Sequence, residues 1–101
     1  MHLIQILLPV RDRAGEPYAE SLFPSINATL IEQFGGLTAY SRSPAKGTWV
    51  NAERQELDDV IVVEVMAKTL DRPWWQALRQ RLEAEMGQAE IVVRTYAIER
   101  L

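Results

Sequence analysis

Cysteine is absent from this 101-residue chain, and histidine occurs once. Without thiols there is no disulfide, no thiolate metal site and no cysteine nucleophile. His2 alone cannot build a multi-histidine metal or haem centre in one subunit, and the chain start is a poor place for rigid axial ligation. Basic charge is also scarce. Against 14 Asp plus Glu stand 11 Lys plus Arg, a formal charge of −3, whereas nucleic-acid binders carry a basic footprint. No apolar run approaches the roughly 20 residues that cross a bilayer. Met1–Val10 is apolar but holds Gln5, lacks a basic start and runs into Arg11, Asp12 and Arg13, unlike a signal peptide. The expectation is a cytoplasmic protein with no cofactor, no metal, and neither nucleic acid nor membrane as partner.

What is present is ordinary globular material, 48% hydrophobic and 25% charged. The length suits a single domain over residues 1–101, with one modest core. His2–Val10 reads as a strand that is apolar on both faces, Ile4, Ile6 and Leu8 on one and Leu3, Gln5 and Leu7 on the other. A helix is expected from Ser21 to Phe34, with Ser21 as N-cap and Pro24 harmless in the first turn. Phe23, Ile26, Leu30 and Phe34 form its apolar stripe, and Gly35-Gly36 stops it.

Leu37–Ser43 and Asp59–Ala67 read as the next two strands. Between them, Pro44–Asp58 is expected to form an irregular hairpin arm, interrupted at Pro44 and Gly47 and projecting beyond the sheet. A second helix runs from Arg72 to Met86, with Asp71 as N-cap, Pro73 in the first turn and Gly87 as the stop. Trp75, Leu78, Leu82 and Met86 make its stripe, with Trp74 at the core margin, while Arg79, Gln80 and Glu83 face water. Glu90–Leu101 is the last strand.

The order strand, helix, strand, strand, helix, strand is the split plan of the ferredoxin-like βαββαβ fold, an α+β class. Its antiparallel four-stranded sheet carries both helices on one face and leaves the other free. Alternation assigns Leu3, Gln5, Leu7, Thr38, Tyr40, Arg42, Val60, Val62, Glu64, Met66, Val92, Arg94, Tyr96 and Ile98 to that free face. It is too apolar to leave in water, and a second copy packed sheet to sheet is the simplest cover.

The run Phe34-Gly35-Gly36-Leu37-Thr38-Ala39-Tyr40-Ser41-Arg42-Ser43-Pro44, followed by Gly47 and Trp49, resembles uncharacterised small bacterial proteins of the ferredoxin-like, dimeric α/β-barrel type. The resemblance spans the chain, and its motifs are structural punctuation rather than a catalytic signature. It implies two sheets closing into a shared barrel. Relatives of that type include cofactor-free oxygenases, isomerases and haem enzymes, so the fold does not choose among them.

Glu64 is the most suggestive single residue, because a carboxylate inside an apolar central strand is costly unless paired. It reads either as a general base or ligand anchor, or as a structural ion pair with Arg42 or Arg94. Arg42 and Arg94 suit a carboxylate or enolate clamp, or solvated edge positions. Tyr40 and Tyr96 could wall a ligand or fill an interface. Trp49, on the arm after Gly47, is a partner anchor or a lid. Glu56, Asp58 and Asp59 read as a solvated face. No Ser-His-Asp set or phosphate-binding glycine loop can be drawn, and His2 in place of Pro rules out an N-terminal proline tautomerase.

Two functions therefore stand side by side. One is a homo-oligomer, a dimer or dimer-based assembly, whose free sheet face mediates assembly and takes up a small ligand. The other is a cofactor-independent isomerase or oxygenase acting on a small, partly aromatic acid in a cleft between sheets. There Glu64 is the base, Arg42 or Arg94 the anion clamp, and Gln5, Tyr40, Tyr96 and Trp49 surround the ligand. A pocket of about 300 Å³ or more over the sheet would separate them.

Overall fold

A computed structural model describes residues 1–50 and 55–101, with side chains described throughout these except at 41–50 and 55–59. Six elements follow one another: β1 (His2–Pro9), α1 (Leu22–Phe34), β2 (Thr38–Val50), β3 (Gln55–Ala67), α2 (Arg72–Met86) and β4 (Val92–Ala97). The sheet order is β2-β3-β1-β4 and every pairing is antiparallel. This is the ferredoxin-like arrangement that the element order predicts.

The core follows the period-two split. Ile4, Ile6 and Leu8 of β1 and Val63 and Val65 of β3 are buried with Ile26 and Leu30 of α1 and all four stripe residues of α2. Both helices therefore cover one sheet face. Phe34 closes the far end of α1 against α2, stacked on Trp75 at 5.1 Å between ring centroids and edge-on to Trp74 at the same separation. Trp75 lies in the core and Trp74 at its margin, as the spacing implies.

Helix ends obey local chemistry, with one difference at the start of α1. Asp71 caps α2 by accepting the Trp74 N–H at 3.2 Å. Gly35 and Gly87 close their helices at φ of 82° and 63°, the left-handed region that only glycine enters without steric penalty. Ser21 stands at the N-cap of α1, but its side chain makes no capping bond; the backbone there is already helical, at φ −79° and ψ −13°.

The second and third strands are longer than the sequence pattern indicates. β2 runs through Pro44 and Gly47 to Val50, paired with β3 as far as Val50↔Gln55. β1 leaves off at Pro9↔Val60, so the outer part of this hairpin is an arm beyond the sheet. Only one of the two expected interruptions exists. Gly47 pairs in register with Asp58, whereas the register shifts between Tyr40, opposite Val62, and Ala45, opposite Val60. Pro44 falls inside that irregular step, where its missing N–H costs no ladder bond.

Three smaller expectations are corrected. β4 spans Val92–Ala97, not Glu90–Leu101. Val60 keeps the free-face parity of Val62 and Glu64, since β1 and β3 pair without a slip, and is buried there at 3% exposure, flanked in the ladder by Pro9 and Ala45. Glu83 does not simply face water: its Oε2 accepts the Ile91 N–H at 2.9 Å and ties α2 to the approach to β4. Arg79 is likewise half-buried rather than solvated.

Candidate functional site: a polar row across the free sheet face

Antiparallel register brings four polar side chains into line on the face opposite the helices. Gln5 on β1 is the direct partner of Glu64 on β3 and, on its other side, of Arg94 on β4. Glu64 is in turn the partner of Thr38, which places Tyr40 one same-face step along β2. Gln5 Nε2 donates to Glu64 Oε1 at 2.6 Å, and Arg94 Nε donates to Gln5 Oε1 at 2.8 Å. The Tyr40 hydroxyl donates to Glu64 Oε2 at 3.3 Å. One hydrogen-bonded row, Tyr40–Glu64–Gln5–Arg94, thus crosses all four strands.

The row answers how a carboxylate persists in an apolar strand. Glu64 has a donor on each oxygen, so both are satisfied among the described residues without a cation in direct contact. The direct Glu64–Arg94 ion pair considered from the sequence does not form, because Gln5 lies between the two charges. Among the described residues the ion pair present is Arg81–Glu85, at 3.3 Å on the outer side of α2.

Glu64 also acts on Tyr40. Its charge opposes formation of a second anion, and the hydrogen bond it accepts holds the phenolic proton. Together, with a smaller contribution from burial and from Tyr96, these raise the Tyr40 pKa above its ordinary 10.0. A neutral tyrosine hydroxyl beside a doubly hydrogen-bonded carboxylate can donate to, or orient, a polar ligand group.

Around the row the surface is apolar. Leu3, Leu7, Val62 and Val92 are half-buried there, and Tyr40, Met66 and Tyr96 are each about half exposed, at 49%, 47% and 49%. Five of the seven sequence-selected residues, Gln5, Tyr40, Glu64, Arg94 and Tyr96, thus share this face. The side chains of the other two, Arg42 and Trp49, lie outside the described residues. Trp49 occupies an arm position paired with Glu56, and Arg42 falls in the step between Tyr40 and Ala45.

Two clefts formed by described residues lie away from the middle of the row. One, of about 190 Å³, is set between α2 and the β4 edge and lined by Arg72, Gln76, Arg79, Trp75 and Thr95 among others; Arg94 borders it. The other, of about 620 Å³, sits where α1 ends beside the β3–α2 turn, near Gly35, Gly36, Lys68 and Trp74. The sequence reading anticipated neither. For the first, the available signal was the spacing of Arg72, Gln76 and Arg79, which places all three on one helix face. No helix among the described residues is long and apolar enough to cross a membrane.

At the level of sequence, no family model matches the chain and no curated protein matches it. Among solved structures it is similar to a phage SAM lyase in complex with S-methyl-5'-thioadenosine, at a TM-score of 0.62 and 11% identity, covering 94% of this chain and 79% of that one. So low an identity shows likeness of fold alone.

Proposed function

We propose that the chain forms a homodimer, or an assembly of dimers, through its free sheet face, and that the Tyr40–Glu64–Gln5–Arg94 row binds a small ligand enclosed by that assembly. The row itself carries the reading. A hydrogen-bonded line of polar groups lies across an otherwise apolar, open sheet surface. A pocket over an open sheet needs a second wall, and a second copy of the chain supplies one. The charges favour that occupant. The row has a guanidinium at one end and a carboxylate toward the other, so a copy turned about a two-fold axis perpendicular to the row presents the opposite order. In this reading Arg94, and Arg42 from β2, clamp an anionic ligand group, Tyr40 and Tyr96 wall its apolar body, and Trp49 on the arm reaches the partner or covers the ligand.

The test is light scattering at micromolar concentration, combined with a thermal-shift screen of small aromatic acids. A dimer stabilised by a screened acid, with the stabilisation lost in Glu64→Gln or Arg94→Met, supports the reading. A monomer indifferent to every acid overturns it.

A catalytic version has one observation in its favour: the structurally similar phage protein is a lyase that holds S-methyl-5'-thioadenosine. On that reading Glu64 serves as general base, with Tyr40 as its hydrogen-bonding partner, on a small, partly aromatic substrate in the cleft between sheets. S-methyl-5'-thioadenosine therefore belongs in the screen. Turnover of any hit that disappears in Glu64→Gln distinguishes an enzyme from a binding protein.

A further inference from the structure

The 190 Å³ cleft between α2 and the β4 edge lies on the helix-covered side of the sheet, apart from the middle of the polar row. Arg72, Gln76 and Arg79 reach it from successive turns of one helix face, and Trp75, Ile4 and Val93 supply apolar lining. Arg79 is the informative member. Its Nε is buried and has no hydrogen-bond partner among the described residues. A buried donor left unpaired is costly, and the cost is relieved when an acceptor arrives.

Carboxylates toward the two ends of α2 are engaged elsewhere. Asp71 is engaged in capping the Trp74 N–H, and Glu83 accepts from the Ile91 N–H. The ion pair formed among the described residues is Arg81–Glu85, whose members are 46% and 44% exposed on the outer side of α2. Three guanidiniums, those of Arg72, Arg79 and Arg94, and the Gln76 amide thus line a small, partly apolar space with no acid among its described lining residues, in a chain whose net charge is −3.

We infer that this cleft is an anion site. Its ligand is a small carboxylate or phosphate whose oxygens meet Arg79 and Arg72, carried on a short apolar body that lies against Trp75. Guanidinium groups match the planar acceptor edges of both anions. The volume is below the roughly 300 Å³ of pockets that enclose drug-sized ligands, so the body is no larger than a single ring.

Calorimetric titration with phenyl phosphate, phenylacetate and inorganic phosphate tests this, with tryptophan fluorescence as a second readout. Saturable binding of either aromatic anion is expected, tighter than that of inorganic phosphate because of the Trp75 wall. Whichever of the two binds more tightly identifies the anion as phosphate or carboxylate. Arg79→Met is expected to weaken binding at least about ten-fold, while Arg81→Met on the outer side leaves it unchanged. If Arg79→Met does not fold, Arg72→Met, at an exposed first-turn position, serves the same purpose. No saturable binding of any of the three up to about 10 mM overturns the inference. So does binding that neither arginine variant alters.

Discussion

Gln5 and Glu64 are register partners on adjacent strands, and the Gln5 amide donates to Glu64 Oε1 at 2.6 Å. The same amide accepts from Arg94 Nε at 2.8 Å. Charge on both sides fixes the amide's orientation, nitrogen toward the carboxylate and oxygen toward the guanidinium. The neutral residue therefore joins an anion to a cation that do not touch. A sheet face of this kind keeps its charged groups oriented without collapsing them into a closed salt bridge, and Arg94 retains terminal nitrogens for another acceptor.

Replacing Gln5 with Leu removes both bonds at a half-buried position. Glu64 loses one of its two donors, while Arg94 sits in solvent and can rehydrate. The expected loss is about 1–3 kcal/mol, measured as a lower urea midpoint at unchanged slope. A midpoint equal to the parent would mean that the row adds nothing to folding.

Tyr40 gives the row a pH signature. Its phenol is raised above 10.0 by the Glu64 charge first and the Glu64 hydrogen bond second. A folded value above the unfolded one contributes stability that is complete below pH 10 and is lost as pH rises through the folded value. Absorbance titration of tyrosinate is expected to show one late-titrating tyrosine in the parent. In Glu64→Gln that tyrosine returns toward the ordinary range, and in Tyr40→Phe it is absent.

The sequence made the helices legible because each carries its own start, stripe and stop. The four α2 stripe residues are buried and Gly87 ends the helix, both set by signals between Asp71 and Gly87. Alternation likewise assigned Gln5, Glu64 and Arg94 to one face, since every second side chain points the same way. Their mutual bonding was not legible, because it depends on the register of three strands far apart in sequence. The step between Tyr40 and Ala45 was hidden for a related reason. Pro44 and Gly47 give equal local breaking signals, and only the partner strand decides which of them interrupts the ladder. Arg79 was missed because a charged residue on a helix is normally solvated, and no local pattern marks the cleft it lines with Val93 and Thr95 of β4.

Tyr18, in the segment before α1, binds the far end of α2. Its hydroxyl donates to the Met86 carbonyl and accepts from Gln88 Nε2, both at 2.9 Å. Its ring meets Phe23 edge-on at 6.1 Å. Tyr18→Phe keeps the ring contact and removes both polar links, so the expected cost is about 1–2 kcal/mol. Faster amide exchange around Met86 and Gln88 is the local readout, and unchanged protection there would show that the links do not hold the helix end.

Val62 tests assembly most directly. It lies on the free face, half-buried, with Leu7 of β1 and Tyr40 of β2 as its register partners. In a monomer, aspartate at this open position can hydrate its charge, and the cost to folding is modest. In a sheet-to-sheet dimer the same carboxylate is sealed against apolar side chains without a cation. An unpaired buried charge costs about 3 kcal/mol or more, which weakens association more than about a hundred-fold. Val62→Asp is therefore expected to run as a folded monomer at concentrations where the parent is a dimer, with its circular dichroism retained. Ile31 on the outer side of α1 is 49% exposed and supplies the control, since Ile31→Asp introduces the same charge on the opposite side of the molecule. If both variants stay dimeric, the interface lies elsewhere. If only Ile31→Asp dissociates, the helices and not the sheet form the contact.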